Sequence, residues 1–170
     1  ALEHFLEKTR AQVLFNTVAY TQVDQAEDEP AQASLLNRQL PLTLGKAVAQ
    51  SKTKLVHFST DFVFSGQKDT PYKPDDLPEP TSVYGQTKLQ GERELLGLNL
   101  SDLLIIRTSW LFGPGRTNFV TRILELAAQR SELSVVHDQV GSPSYTLDLA
   151  ENTLALLNSG ATGIFHLANA

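Results

Sequence analysis

The sequence predicts an α/β protein whose core is an open parallel sheet with helices on both faces. Three observations carry this. Short apolar runs of strand length alternate along the whole chain with longer stretches of helical spacing, and that alternation implies parallel βαβ units. Three of those runs stop abruptly at polar residues, in Ala19-Tyr20-Thr21, Ser59-Thr60-Asp61 and Thr108-Ser109-Trp110. Finally, 170 residues that are 41% hydrophobic and 19% charged suffice to bury one domain-sized core. No repeat, low-complexity tract or linker divides residues 1–170, so a single unit is expected.

Residues 1–10 place Leu2, Phe5 and Leu6 among charges, the pattern of an amphipathic helix. Gln12 to Val18, with Val13, Leu14, Phe15 and Val18, reads as a buried strand. Acid concentrated between Asp24 and Glu29 ahead of Pro30 marks a helix start, with the helix running to about Gln50. The second strand is Leu55 to Phe58, followed from Ser65 to Pro80 by a surface excursion rich in proline, glycine and aspartate. Thr81 or Ser82 caps a helix that passes Tyr84 and Lys88 toward Leu96. Leu103 to Ile106 forms a third strand, and Gly113-Pro114-Gly115 leads into a helix from about Asn118 to Arg130. A short strand at Leu133 to Val136, a helix from Tyr145 to Leu157 and a last strand at Gly163 to Leu167 complete the expected order.

Charge and composition exclude several classes of function. A net charge of −5 and a pI near 5.3 leave no broad basic surface, which argues against nucleic acid as a partner. Small anionic ligands are still compatible, since a helix N-terminus can hold them. The absence of cysteine removes disulfides and thiolate metal sites and is compatible with the cytoplasm. No apolar run approaches membrane-spanning length, and no signal-peptide pattern is present. The lack of any methionine suggests a processed or excised piece.

The stretch from Leu55 to Lys88 proposes chemistry. Tyr84 and Lys88 share a helix face at i and i+4, aimed at the strand end that carries Thr60. A free phenol has a pKa near 10 and moves its proton reluctantly at neutral pH, so a lysine ammonium one turn away is a natural assistant. A hydroxyl from the strand end can fix a carbonyl oxygen for proton transfer. In sheets of this kind ligands gather at the carboxyl ends of the strands, where Tyr20, Thr60 and Trp110 would meet. His57, His137 and His166 lie in or beside strands and read as core histidines, and no histidine spacing proposes a metal site.

Taken together the residues resemble the extended short-chain dehydrogenase/reductases, and within them the dTDP-4-dehydrorhamnose reductase family. The resemblance lies in Asn16, Ala19-Tyr20-Thr21-Gln22-Val23-Asp24, Ser59-Thr60-Asp61-Phe62-Val63-Phe64, Tyr84-Gly85-Gln86-Thr87-Lys88, Arg107-Thr108-Ser109-Trp110, Asn118-Phe119-Val120 and Asp138-Gln139-Val140-Gly141-Ser142-Pro143. It implies a Rossmann-like doubly wound parallel sheet. It also implies hydride transfer from NADPH or NADH to the C4 ketone of a dTDP-linked 4-keto-6-deoxyhexose. Tyr84 would donate the proton, Lys88 would hold the nicotinamide ribose and lower the tyrosine pKa, and Thr60 would orient the carbonyl. Ala19, Tyr20 and Thr21 match the segment along the cofactor, and Thr60, Asp61 and Trp110 match positions that contact the nucleotide sugar. The same resemblance allows a homodimer.

Departures qualify the match. Phe62 stands where the family commonly has tyrosine, and Thr17 and Val18 replace smaller residues before Ala19. No glycine-rich dinucleotide turn follows a strand in these residues, so the sheet is expected to be incomplete, lacking its first strands and that turn, and the chain is expected to be the central part of a longer reductase. Alone it should hold dinucleotide weakly or not at all. Two other readings share the resemblance: a related nucleotide-sugar reductase or epimerase, and a non-catalytic regulatory subunit like the beta subunit of methionine adenosyltransferase.

Overall fold

The computed structural model describes residues 2–115 and 117–169, and all structural statements concern these. Helix α1 (Leu2–Thr9) leads into strand β1 (Val13–Asn16). A helical region follows as α2 (Val23–Asp28), α3 (Pro30–Ser34), a π-helical segment (Leu35–Gln39) and α4 (Leu40–Ala49). Strand β2 (Lys54–Thr60) ends in a 3-10 turn (Asp61–Val63), and the excursion then returns to α5 (Val83–Gly97). Next come β3 (Leu103–Thr108), β4 (Leu111–Phe112), α6 (Phe119–Ala127), β5 (Ser144–Tyr145), α7 (Thr146–Asn158) and β6 (Gly163–His166).

The main sheet has the order β1-β2-β3-β6 with every neighbour parallel. Side-chain alternation along β2 and β3 divides the core in two. Leu55, Leu103 and Ile105 point to the face covered by Leu6, Ala47, Val48 and Leu95 of α1, α4 and α5. Val56, Leu104 and Ile106 point to the other, where Leu149, Leu156 and Leu157 of α7 pack. Helices therefore lie on both faces of an all-parallel sheet, as expected. The register pairs Thr60 with Thr108, so the strand ends that carry the polar residues lie side by side.

Two expectations are corrected. Residues 133–136 form no strand, because the place beside β3 is filled by β6 and their backbone has no ladder to join. Val135 and Val136 are accordingly 50% and 65% exposed. The region from Asp24 to Gln50 is not one helix. Glu29, at φ −122° and ψ 51°, breaks it ahead of Pro30, and one extra residue per turn is accommodated between Leu35 and Gln39. A small parallel ladder between Leu111-Phe112 and Ser144-Tyr145 was not expected, and it ties the segment after β3 to the start of α7.

Candidate active site

The carboxyl end of β2 is shaped by a hydroxyl that faces two ways. Thr60 Oγ1 accepts from the Phe62 amide at 3.2 Å, which caps the 3-10 turn, and donates to Asp61 Oδ1 at 3.0 Å. Helix α5 starts beside this turn, capped by Ser82, whose Oγ accepts from the Gly85 amide at 3.1 Å. Glu27 Oε1 accepts from the Val83 amide at 2.8 Å, a second acceptor for the free donors of the first turn. The Tyr84 ring meets Phe62 edge-on with centroids 5.6 Å apart. Gly85 lets α5 come this close, since a Cβ there would lie 2.2 Å from the Phe62 carbonyl oxygen.

Electrostatics at the site favour a protonated phenol. Burial raises the Tyr84 pKa, the neighbouring Asp61 carboxylate adds to the rise, and the hydroxyl of Thr60, in hydrogen-bonding interaction with the phenol, opposes it. Burial likewise raises the pKa of Asp61 against the hydrogen bond from Thr60. Lys88 is 2% exposed, and its Nζ donates to the Phe58 carbonyl at 2.6 Å. Burial lowers its pKa to about 8, against the attraction of Glu92. Lys88 is not among the groups that shift the phenol here: its ammonium is drawn inward to the β2 backbone, and burial leads the causes at Tyr84.

The Ala19–Thr21 segment leaves the carboxyl end of β1 in a defined position. Ala19 is half-buried, Thr21 is exposed, and Tyr20 is 8% exposed with its hydroxyl donating to Glu29 Oε2 at 2.8 Å. Asn16, the last residue of β1, donates through Nδ2 to His57 Nδ1 at 2.9 Å and accepts the Val18 amide at 3.2 Å. His57 is fully buried under this bond and holds a pKa well below the usual imidazole range through burial and the nearby Lys88 charge, so it stays neutral.

Thr60, Asp61 and Tyr84 are thus brought together at one strand end, with Lys88 a turn deeper. Trp110 joins a different cluster. Its backbone takes φ 45°, its ring rests against Gly141 and faces Phe119 at 6.2 Å, and its carbonyl accepts the Ser144 amide at 3.2 Å. Sequence reasoning missed the Arg107–Glu92 pair, both partners buried, with nitrogen–oxygen distances of 3.0 and 2.6 Å. Arg107 also donates to Pro74 O at 3.3 Å and lies 5.0 Å over the Phe64 ring, and His166 Nδ1 meets Tyr72 O at 3.1 Å. The long excursion is therefore fastened to the sheet. Asn37 was missed as well: it is buried, and its side chain bonds the Tyr20 backbone and Thr87.

An open parallel sheet whose strand ends gather a threonine, a tyrosine and a lysine in this way is the arrangement of the extended short-chain dehydrogenase/reductase class. The chain belongs to the family of the RmlD substrate binding domain, whose profile matches residues 1–170. It is 41% identical over 169 residues to the spore coat polysaccharide biosynthesis protein SpsK of Bacillus subtilis, covering 99% of this chain and 59% of that protein. It is 45% identical over 161 residues to the dTDP-4-dehydrorhamnose reductase of Mycolicibacterium smegmatis, covering 93% of this chain and 49% of that protein. The crystal structure of Bacillus anthracis dTDP-4-dehydrorhamnose reductase in complex with NADP superposes with a TM-score of 0.94 at 35% identity, covering 99% of this chain and 60% of that one. The chain thus spans about three-fifths or less of the length of these relatives.

Proposed function

We propose that this chain supplies the proton-donor side of a dTDP-4-dehydrorhamnose reductase, which converts the C4 ketone of dTDP-4-dehydrorhamnose into the alcohol of dTDP-L-rhamnose. The observation that carries this reading is the Tyr84 ring packed on Phe62 at the end of β2, where Thr60 and Asp61 also lie. A phenol there can donate its proton to a carbonyl oxygen that gains negative charge as its carbon is reduced. Thr60, whose hydroxyl donates to Asp61 Oδ1 beside the phenol, would orient the substrate carbonyl. Trp110 and Asp61 would border the nucleotide sugar.

The residues fit the nicotinamide end of a dinucleotide. Thr21 is exposed at the end of β1, Ala19 is half-buried beside it, and Lys88 carries a cation behind Tyr84. NADPH or NADH bound there supplies the hydride. Ala19, Tyr20 and Thr21 would line its passage, with Tyr84 and Lys88 at the ribose. A cytoplasmic setting accords with the cysteine-free sequence.

Tyr84→Phe tests the assignment in the full-length encoded protein. The substitution removes only the transferable proton and keeps the ring against Phe62, so kcat for ketone reduction should fall by about 10²-fold or more while dinucleotide affinity holds. Turnover within a factor of about three of the parent would remove Tyr84 from the proton-donor role.

A further inference from the structure

Lys88 and Glu92 stand at i and i+4 on the buried face of α5, a spacing at which opposite charges ordinarily pair. They are 2% and 1% exposed, so water competes for neither charge. The two side chains nonetheless turn in different directions. Lys88 Nζ donates to the Phe58 carbonyl of β2 at 2.6 Å. Glu92 accepts from Arg107 with both oxygens, at Oε1 from Nε over 3.0 Å and at Oε2 from Nη2 over 2.6 Å.

Arg107 reaches Glu92 because of its place in the sheet. The register sets it between Ser59 and His166, one residue short of the carboxyl end of β3. Alternation along the strand sends its side chain to the same face as Leu103 and Ile105, the face that α5 covers. There the Phe64 ring lies 5.0 Å from the guanidinium carbon and Nη1 donates to the Pro74 carbonyl at 3.3 Å, which fixes the plane of the group. A planar fork so held meets both carboxylate oxygens at once, and a lysine ammonium offers no matching geometry.

We propose that Arg107 is a positioning residue for the reaction: by occupying both oxygens of Glu92 it keeps that carboxylate from capturing Lys88, and so leaves the ammonium at the Phe58 carbonyl, one turn from Tyr84. For turnover this rests on the reductase reading, in which Lys88 serves the dinucleotide. Facing this part of α5 are His57 of β2, which is neutral, Asp61 of the turn that follows, Arg107 of β3 and His166 of β6, with Tyr84 on the helix itself. Glu92 supports the ammonium from a distance, against the burial that brings the Lys88 pKa to about 8.

Arg107→Met tests this in the full-length encoded protein, since methionine keeps an apolar chain against Phe64 and frees Glu92 to take Lys88. With Lys88 as its new partner Glu92 is not stranded, so the variant should fold; failure to fold overturns the proposal. We expect kcat to fall about tenfold and the Michaelis constant for NADPH to rise about tenfold. The alkaline limb of kcat/KM, near pH 8 in the parent, should move up by about one unit. Adding Glu92→Met removes the competing carboxylate and leaves apolar groups where a buried ion pair stood, an exchange that proteins often accept without loss of stability. This double variant should recover kcat and the NADPH constant to within about threefold, although Pro74 lacks its donor in both variants. A double variant as impaired as the single one overturns the proposal, because Arg107 then acts through packing or through the excursion. Carbon NMR of labelled lysines in the unliganded protein is independent of turnover. The Lys88 signal, assigned by its loss in Lys88→Met, should titrate about one pH unit higher in Arg107→Met and return in the double variant. Equal titration in the parent and in Arg107→Met overturns the proposal whether or not the enzyme is active. Absence of ketone reduction by the parent protein instead sinks the reductase reading and leaves the lysine titration to decide the role of Arg107.

Discussion

The carbonyl of Phe62 occupies the space that a side chain on Gly85 would need, with 2.2 Å between its oxygen and an ideal Cβ position. The obstacle is backbone on one side and helix on the other, so neither can swing away as a flexible side chain would. Gly85→Ala should therefore shift α5 away from the 3-10 turn and carry Tyr84 with it. Helix propensity alone would favour alanine by about 1 kcal/mol, so a net loss of stability would isolate the steric clash. We expect urea denaturation to show destabilisation of about 1 to 3 kcal/mol, together with a drop in ketone reduction of about 10²-fold. A stabilised and active Gly85→Ala protein would show that the turn and helix can part without consequence.

Arg107 and Glu92 are 3% and 1% exposed at their side chains and bonded in two places, whereas Arg38 and Glu94 form a comparable pair with 46% and 29% exposure. Removing one partner from the buried pair strands a charge away from water. Glu92→Gln should cost about 3 to 5 kcal/mol, and it should loosen the excursion held at Pro74. Glu94→Gln at the surface pair should cost less than about 1 kcal/mol. Equal effects in chemical denaturation of the two variants would contradict this assignment.

Acid should weaken the fold earlier than carboxylate titration requires. Burial, and then the Lys88 charge, depress the pKa of His57; burial, and then Arg107, depress that of His166, against the Tyr72 carbonyl, Glu92 and Asp76. With both folded values below 6.5, the unfolded chain binds more protons just under that pH. The imidazole contribution to stability is therefore present above pH 6.5 and is lost as the pH drops below it, by up to about 1.4 kcal/mol per pH unit for each imidazole. Asp61, with its raised value, opposes this closer to pH 4. The urea midpoint should decline from pH 7 to pH 5.5 in the parent and more shallowly in His57→Gln. Parallel slopes for the two proteins would exclude His57 as a source.

Much of this site was legible because strand ends and helix spacing are local properties. Thr60, Asp61, Tyr84 and Lys88 were found from an apolar run that ends in polar groups and an i, i+4 pair, and these signals require no knowledge of long-range contacts. The strand wrongly expected at 133–136 shows the converse, because a strand exists only where another offers a ladder, and sequence does not reveal that β6 holds that place. The break in the helix at Glu29 had Pro30 as its sign. Asn37 had none, and its partners lie 17 and 50 residues away. The turn of the Lys88 ammonium onto the Phe58 carbonyl is something that spacing along a helix cannot tell.

The close approach of Gly91 to the Asn37 carbonyl bears on how such an enzyme could change its substrate. With Gly85 pressed to the turn and Gly91 to the π-helical segment, α5 is pinned at two points six residues apart. A helix so held has no freedom to slide or tilt to suit a different sugar. Efforts to redirect specificity in a reductase of this kind would leave α5 untouched, as the fixed reference against which a new pocket is cut.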